Sequence, residues 1–438
     1  MPFSTNGMTR FQLITLLVFG AFIVLGVIIF SSTRGTGPGP NDNVLLWGTL
    51  PEQVIAKSIK DHPLLGSRKE VTVTYVQKSA VGFEQEIVEA LAEGKGPDAV
   101  LLSQDAIWEH RNKIYPISYK TYSERQFKDA FIEEGELLLF PEGIMGVPIL
   151  VDPIVMYWNR TLFSNAGISR PPQYWDEFFD LSTFLTKKDE SLNIIKSTTA
   201  LGEYRNVLNA KEILSALIMQ AGSPITVRGE NGMASVLNNR LNEAVIPAVA
   251  ALNFYTEFSN PIKLFYSWNR SLPRSDNLFI AGDLALYFGF GSEFNLLKNR
   301  NPNLNFDAAL FPQARSGQVN TTYGKMQSFV ILKTAKNIPA AVQVAFAFAE
   351  PSVVKILSEE TNLAPVRRDV LSTNPPNAHA SIFYQSALRS RGWLDPENTS
   401  TGAAFQSMIE SVTGGRFSST EAVTRANAEI TELFKNSQ

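Results

Sequence analysis

The chain has 438 residues, of which 44% are hydrophobic and 18% are charged, and its formal net charge is -3. This length predicts two or three folding units, and the nearly balanced charge excludes a general basic surface for nucleic acid. The absence of cysteine excludes disulfides, thiolate nucleophiles and cysteine-ligated zinc, and no two of the histidines stand at metal-ligand spacing, so we expect no metal site and no cofactor.

Residues 11–30 read FQLITLLVFGAFIVLGVIIF and contain no charged side chain. A helix of this length, at about 1.5 Å per residue, spans about 30 Å, which is the thickness of the hydrocarbon core of a bilayer. A cleaved signal peptide usually has a shorter apolar run of about 7–15 residues, and a lipoprotein needs a cysteine, which the chain lacks. We therefore predict an uncleaved transmembrane anchor at 11–30 after a cytoplasmic N-terminus, 1–10; a long signal peptide is the alternative.

Residues 31–43 follow the predicted anchor and include the Gly/Pro-rich run GTGPGPNDN, which has no apolar periodicity. Such a composition predicts a linker. It would hold a folded domain a short distance from the lipid bilayer, on the extracytoplasmic side. Arg10 and Arg34 flank the anchor, so the positive-inside rule leaves its orientation nearly tied.

The first part of the globular region alternates between strand and helix patterns. Short apolar or alternating runs at 44–47, 71–76 and 99–102 are typical of strands, and the segments 51–60 and 82–93 between them are typical of helices. In the second of these helices, apolar residues recur every four positions and therefore share one face. This alternation predicts a parallel sheet covered by helices.

Four segments, in a fixed order, carry a resemblance to a known family. Residues 83–105 (FEQEIVEALAEGKGPDAVLLSQD) combine an amphipathic helix, a glycine turn and a strand. Residues 146–178 (GVPILVDPIVMYWNRTLFSNAGISRPPQYWDEF) contain a Gly-x-Pro strand, a Trp-Asn-Arg turn and a later Trp-Asp-Glu. The run FIAGDLALYFGFGSEF at 279–294 and the phrases SFVILK and NLAPVRRD within 323–369 complete the series. Together they resemble the extracellular solute-binding proteins of ABC importers (family 1), the group that contains maltose-binding protein.

This resemblance implies an α/β, two-lobed periplasmic-binding-protein-like fold of type II, preceded by the N-terminal transmembrane helix. The N-terminal lobe would comprise residues 44–150 and 314–350. The C-terminal lobe would comprise residues 151–313 and 351–438. Each lobe would thus be built from segments that are distant in sequence, so the chain must cross between the lobes more than once.

The same resemblance implies a membrane-anchored, extracytoplasmic solute-binding protein rather than an enzyme. The chain would cross between the lobes near 150–154 and 310–313, and the lobes would close by a hinge on a small, carbohydrate-like solute. The closed protein would deliver this solute to the membrane subunits of an ABC permease. We expect a monomer without a nucleic-acid partner, localised to the cell membrane as a single-pass protein.

The resemblance also indicates ligand-binding residues. Asp105 follows the strand PDAVLL at a position that often contacts ligand in the family, and Asp152 lies in the crossover segment, where the family often has an acidic contact. Both carboxylates would accept hydrogen bonds from sugar hydroxyls. The alternative is that they are solvated loop carboxylates or hydrogen-bond acceptors of the hinge.

Four further residues are candidates by position. Trp47 ends the first strand, Trp268 lies in the run FYSWNRS, and Phe290 and Glu293 follow the LALYFGF strand at a matching edge of the cleft. Aromatic faces and hydrogen-bonding carboxylates commonly hold sugars. The alternative for Trp47 is a place in the hydrophobic core.

Other functions stay open at this point. Leu102 and Ser292 stand where sugar-binding relatives often have an aromatic residue, which weakens the sugar assignment but leaves the binding fold intact. A domain of this fold reused for adhesion or sensing is one alternative, and a surface glycosidase with paired carboxylates is another. The chain has no GxSxG, HExxH or P-loop motif, so we expect no catalytic residues.

Membrane fractionation combined with N-terminal sequencing tests the predicted anchor. The full-length protein should stay in the membrane fraction with residues 11–30 still attached, because an uncleaved apolar helix of this length does not leave a bilayer. A mature protein that begins after Thr33 and lies in the soluble fraction would show that the segment is a cleaved signal peptide.

Overall fold

A computed structural model of the protein describes residues 42–65, 71–229, 232–240, 244–315 and 319–436. The predicted anchor at 11–30 and nearly all of the predicted linker lie outside these residues. Across the described part of the chain, no single helix has the length and apolarity to cross a membrane. One bent pair, Ile338–Phe348 with Pro351–Thr361, meets that criterion by length and composition only.

Strands and helices alternate through most of the described chain. The strands, named β1 to β15 in chain order, are Asp42–Gly48, Val71–Gln77, Ala99–Ser103, Leu139–Phe140, Gly143–Ile144, Val147–Asn159, Lys187–Lys188, Ile194–Thr199, Thr226–Gly229, Gly232–Ser235, Leu284–Phe290, Phe306–Ala309, Thr322–Ile331, Ala364–Pro365 and Ser390–Arg391. The helices, named α1 to α16 in chain order, are Glu52–Ile59, Phe83–Ala92, Gln104–His110, Glu124–Ala130, Arg160–Asn165, Glu177–Leu185, Ala210–Gln220, Pro247–Glu257, Ser275–Ala281, Glu293–Arg300, Ile338–Phe348, Pro351–Thr361, Arg368–Leu371, Ala378–Leu388, Asn398–Thr413 and Ser419–Asn436. Short 3-10 helices cover Arg111–Lys113 and Glu133–Leu138.

The first strands and helices follow the sequence pattern closely. β1 pairs in parallel with β2 on one side and with β3 on the other. The first four residues of β3 are all buried, as expected for a strand in a sheet that helices cover on both faces. α2 buries Phe83 and Ile87, which lie one turn apart on the same helical face. The strand–helix alternation predicted between residues 44 and 102 is therefore confirmed.

The long strand β6 joins two groups of strands. Its first half pairs antiparallel with β13, and β13 pairs antiparallel with β3. Its second half pairs antiparallel with β11, which pairs in parallel with β8. The order along the sheet is β2-β1-β3-β13-β6-β11-β8-β7, and β12 also pairs with β6. We call β1 to β3 with the elements packed on them the first lobe, and β8, β11 and β12 with theirs the second lobe.

A group of helices completes the second lobe and reaches the first. α7, α8, α15 and α16 pack on one another, and Phe254 of α8 contacts Trp175 and Phe179 beside β8. Near the end of α16, the ring of Phe434 meets Trp108 of α3 edge-on, with ring centroids 5.2 Å apart. The two lobes therefore touch through aromatic side chains as well as through the shared strands.

The segment that follows α11 packs on the first lobe. α12 packs on α1, and β14 pairs antiparallel with β6. Arg368, at the start of α13, donates a hydrogen bond of 2.7 Å to the carbonyl oxygen of Phe131. The chain thus keeps contact with first-lobe elements as far as α13, past residue 350, where the predicted N-terminal lobe ends.

A buried amide holds the connection between the second lobe and β13. The side chain of Gln220, at the end of α7, accepts a 2.7 Å hydrogen bond from the indole nitrogen of Trp175. Its amide nitrogen donates to the carbonyl oxygens of Pro312 at 2.9 Å and Thr321 at 2.7 Å. One side chain therefore fixes both ends of the segment that leads into β13.

Replacing this amide tests how much the connection contributes to stability. In Gln220→Leu, the indole of Trp175 and the carbonyl oxygen of Pro312 lose this partner in a buried site, and the carbonyl oxygen of Thr321 keeps only its 3.1 Å bond from Gln313. The free energy of unfolding should therefore fall by roughly 2–4 kcal/mol. Urea denaturation measures the change. Gln385→Leu, on an exposed position of α14, is the matched control and should change stability by less than about 0.5 kcal/mol. Equal effects of the two substitutions would contradict this account.

Candidate functional site

Asp105 lies where the two lobes meet. It stands in the first turn of α3, directly after β3, because the chain turns from strand to helix at Ser103. Its Oδ2 is 3.3 Å from Nζ of Lys325 in β13. The amide nitrogen of Asn398, the first residue of α15, is 3.5 Å from the same oxygen. A first-lobe carboxylate thus contacts a second-lobe amide, and its negative charge raises the pKa of Lys325.

Asp152 lies in β6 opposite Lys325 in the register of β6 and β13. Its Oδ1 accepts a 3.0 Å hydrogen bond from the backbone nitrogen of Ser292. The surrounding protein raises the pKa of Asp152 from 3.8 to about 7, mainly by burial, with a further increase from the charge of Glu293. This carboxyl group can therefore change protonation near neutral pH.

Glu293 is occupied by protein donors. Its carboxylate accepts hydrogen bonds from the backbone nitrogen of Phe290 at 2.9 Å, from the amide nitrogen of Asn209 at 3.1 Å and from the hydroxyl of Tyr287. Burial raises the pKa of Glu293. Phe290 is partly exposed, and its ring stands edge-on to Tyr323 with centroids 6.4 Å apart. Glu293 therefore shapes the turn that presents Phe290.

The structure separates both candidate tryptophans from this group. Trp47 is 9% exposed, and Nζ of Lys78 lies 3.7 Å from its ring centroid. Trp268 is completely buried, and its indole nitrogen donates to the side chain of Asn206 at 3.1 Å. Trp268 therefore offers no accessible face in this arrangement. Asp105, Asp152, Phe290 and Glu293 are brought together around β13 and the β6–β11 pair, whereas the two tryptophans are not.

Two lysines were missed by the sequence analysis. Lys325 stands in the strand TYGKMQSFVI, where it is the single charged residue. Nζ of Lys211 lies 2.6 Å from a carboxylate oxygen of Asp395 and 2.7 Å from the side-chain oxygens of both Asn398 and Thr401. A charged side chain inside an otherwise uncharged strand needs a partner of opposite charge. The position of Lys325 in the sequence could therefore have indicated an ion pair at this strand. The partners of Lys211 lie about 190 residues away along the chain and gave no such signal.

A cavity of about 670 Å³ opens beside the start of α7. Burial raises the pKa of Glu212 on its wall, and the charges of Lys211, Lys325 and Asp105 act on the same carboxylate. The cavity therefore adjoins the Asp105–Lys325 pair. Its wall includes polar and charged side chains from α7, from α15 and from the segments that precede α7 and α9. They are Lys211 and Glu212, Asn398, and Tyr204, Asn209 and Arg274, respectively. Another cavity, of about 500 Å³, is lined by Trp158 and Tyr174 and includes none of the candidate residues.

A carboxyl group without partners lies close to this region. Glu134 is 1% exposed, and neither of its carboxylate oxygens has a hydrogen-bond partner among the described residues. It fits between Gly324 and Gly392, where a Cβ atom on either glycine would overlap the carboxylate. Burial raises the pKa of Glu134 from 4.5 to about 8, the charge of Asp105 raises it further, and Arg391 lowers it. The group is therefore protonated at neutral pH.

Comparison of the sequence with known proteins identifies one matching family model and several related binding proteins. A family model described as a bacterial extracellular solute-binding protein matches residues 65–383. Binding proteins of Brucella abortus and Brucella suis are 27% identical over 263 residues, a match that covers 57% of this chain and 57% of each relative. The chain therefore matches little more than half the length of these curated relatives.

Solved structures share the fold at low identity. The cyclic α-maltosyl-1,6-maltose binding protein of Arthrobacter globiformis is 15% identical, with a TM-score of 0.74 over 90% of this chain and 99% of that one. The GacH receptor of Streptomyces glaucescens, described unliganded and with acarbose, is 16% identical, with a TM-score of 0.68 over 90% and 99% of the two chains. These likenesses confirm the predicted two-lobed, periplasmic-binding-protein-like α/β fold.

The pH dependence of stability tests the environment of Glu134. Its raised pKa means that the folded protein keeps a proton which the unfolded chain releases, so wild-type stability should fall as the pH rises from about 5 to about 8. Glu134→Gln cannot ionise. The free energy of unfolding of Glu134→Gln should therefore rise relative to that of wild type through this window, by about 1.4 kcal/mol per pH unit, and the difference should then level off.

Chemical denaturation at a series of pH values measures this difference. Glu190→Gln, on an exposed turn, makes the same substitution at the protein surface and is the matched control for the loss of a carboxylate. A constant difference between Glu134→Gln and wild type from pH 5 to pH 8 would mean that Glu134 titrates like an ordinary exposed carboxylate.

Proposed function

The chain belongs to the bacterial extracellular solute-binding proteins, and we propose that it captures a small carbohydrate between its lobes and delivers it to an ABC-type permease. The contact of Asp105 with both Lys325 and Asn398 is the observation that carries this proposal. A carboxylate, an ammonium and an amide from the two lobes converge beside a cavity of about 670 Å³. Such a set offers acceptors and donors for several hydroxyl groups at once.

The composition of the cavity wall favours a ligand held mainly by hydrogen bonds. Leu102 is buried in β3, and the backbone nitrogen of Ser292 is bonded to Asp152. Among the described residues near the site, Phe290 is partly exposed and Tyr204 lies on the cavity wall, whereas Tyr323 and Trp393 are buried. With so little aromatic surface, stacking on sugar faces contributes less than polar contacts, and a mono- or disaccharide fits better than a long glucan.

Closure of the lobes would depend on β6 and on the segment that leads into β13. We propose that residues 150–154 and 310–313 absorb the change in backbone angles, because both lie between the strand groups of the two lobes. We also propose that the chain returns to the second lobe after Leu371, later than the predicted boundary at residue 351, since α12 packs on α1. A ligand that contacts Asp105 and Asn398 together would bind the closed form more tightly than the open form.

The membrane context of the protein is part of the same proposal. The apolar segment 11–30 and the Gly/Pro-rich linker would keep a monomeric binding domain on the extracytoplasmic face of the membrane. A tethered binding protein reaches its permease without diffusing away, because the linker keeps its effective concentration high. Catalytic turnover is not part of this function; the carboxylates would bind the solute and leave it unchanged.

Isothermal titration calorimetry of the full-length protein tests the assignment. The probes are maltooligosaccharides, mannooligosaccharides, free hexoses and acarbose. Asp105→Asn and Asp152→Asn should each weaken binding of the best probe by about 5–150-fold, which corresponds to 1–3 kcal/mol for a buried ligand donor left without its partner. Asp129→Asn, whose side chain is 74% exposed on α4, is the control and should bind like wild type.

Three results would contradict parts of this proposal. Binding of an amino acid or peptide instead of every saccharide would refute the carbohydrate assignment. Wild-type affinity in both Asp105→Asn and Asp152→Asn would refute the site. Hydrolysis of a bound oligosaccharide would show that the protein is an enzyme after all.

A further inference from the structure

Three side chains with metal-binding atoms meet at the far end of α3. Glu84 lies in the first turn of α2, and Glu109 and His110 end α3. One atom from each side chain, two carboxylate oxygens and one imidazole nitrogen, lie within 4.8 Å of one another. The Oε2 atom of Glu84 is 3.3 Å from Nε2 of His110. The spacing of the three residues in the sequence matches no metal-binding motif, because Glu84 comes from a different helix.

We propose that Glu84, Glu109 and His110 form a binding site for a divalent transition-metal ion of the zinc type. Two ligand atoms that lie about 2.0–2.1 Å from a tetrahedral zinc ion are about 3.3 Å apart, which is the separation of the Glu84 oxygen from the His110 nitrogen. One imidazole with two carboxylates suits zinc better than magnesium or calcium, which prefer oxygen ligands alone. Water would fill the fourth position.

Burial holds the ring of His110 with one nitrogen turned toward the site. The residue is 3% exposed. Its Nε2 lies 3.3 Å from the carboxylate of Glu84, so this nitrogen is the one that would bind the metal ion. Two carboxylates that share one small region also repel each other, and a cation between them removes this repulsion.

The site lies at the edge of the cleft and is separate from the solute contacts. Glu109 stands one helical turn after Asp105 and therefore lies on the same face of α3. Asn398 contacts Asp105 across the lobes, and Glu397, which caps α15, precedes it. A cation bound here would join α2 to the end of α3 in the first lobe and would lie on the side of α3 that faces the second lobe. Its ligands are not those proposed for the carbohydrate.

Calorimetric titration with zinc chloride tests the site on the full-length chain, prepared without a polyhistidine tag and stripped of metal. Wild type should bind one zinc ion per chain. Glu84→Gln and Glu109→Gln keep the shape of the side chain but not its charge, and each should weaken zinc binding at least about tenfold, because even groups that only orient a ligand contribute about 10–100-fold in affinity. Excess magnesium should not displace the zinc.

A matched variant and a structural readout complete the test. Glu89→Gln removes a carboxylate from α2 that contacts Gln85 at 2.7 Å instead of the site, so it should bind zinc like wild type. X-ray absorption at the zinc edge should show a single nitrogen among oxygen ligands at about 2.0–2.1 Å. Equal affinity in wild type, Glu84→Gln and Glu109→Gln, or a zinc ion bound by several imidazoles, would overturn the proposal. Circular dichroism confirms that each variant is folded.

Discussion

Strand β6 pairs with β13 through its first half and with β11 through its second half, so one hydrogen-bonded ladder runs through both lobes. A buried backbone group that loses its partner costs free energy, so the register of this ladder is strongly fixed. Asp152 stands opposite Lys325 in that register. The ladder therefore brings these two charged residues to the junction of the lobes, and the rest of the candidate site is arranged around them.

The titratable groups at this junction differ in how many hydrogen-bond and ion-pair partners the protein gives them. Lys211 and Asp395 form a buried ion pair at 2.6 Å, and neighbouring oxygens take up the remaining donors of the lysine. Glu134 and Asp152 are less well compensated, and burial raises the pKa of both. Well-paired buried charges fix the packing of helices, whereas poorly compensated ones are typical of sites that bind or respond to something else.

The proposed solute contact and the proposed cation site lie at opposite ends of one short helix. α3 has seven residues, with Asp105 in its first turn and Glu109 and His110 in its last. A ligand held at either end restricts the motion of the same helix and so lowers the entropy lost when the other end binds. The aromatic contact of Trp108 with Phe434 of the second lobe comes from the middle of this helix. α3 is therefore the element through which solute, cation and lobe contact would influence one another.

The sequence by itself determined the fold class and the early strand–helix order, and it singled out Asp105 and Asp152, which the structure places near Lys325. Apolar periodicity is a local property of the chain, so the sequence alone is enough to detect it. Both aspartates lie in segments that resemble the family in their residues and in their order along the chain. The sequence did not separate Trp268, a completely buried side chain, from tryptophans that line a cleft, because one aromatic residue fits either environment.

Only the tertiary structure decided which side chains meet. It placed Asn398 against Asp105, which lies 293 residues earlier in the chain, and Glu84 beside His110 from another helix. The sequence analysis predicted no metal site because no two histidines stand at ligand spacing. The site proposed at Glu84, Glu109 and His110 draws its ligands from two helices, and such a set has no characteristic spacing in the sequence. Pairing and burial between distant segments depend on how the helices pack on the sheet, and no local pattern records that packing.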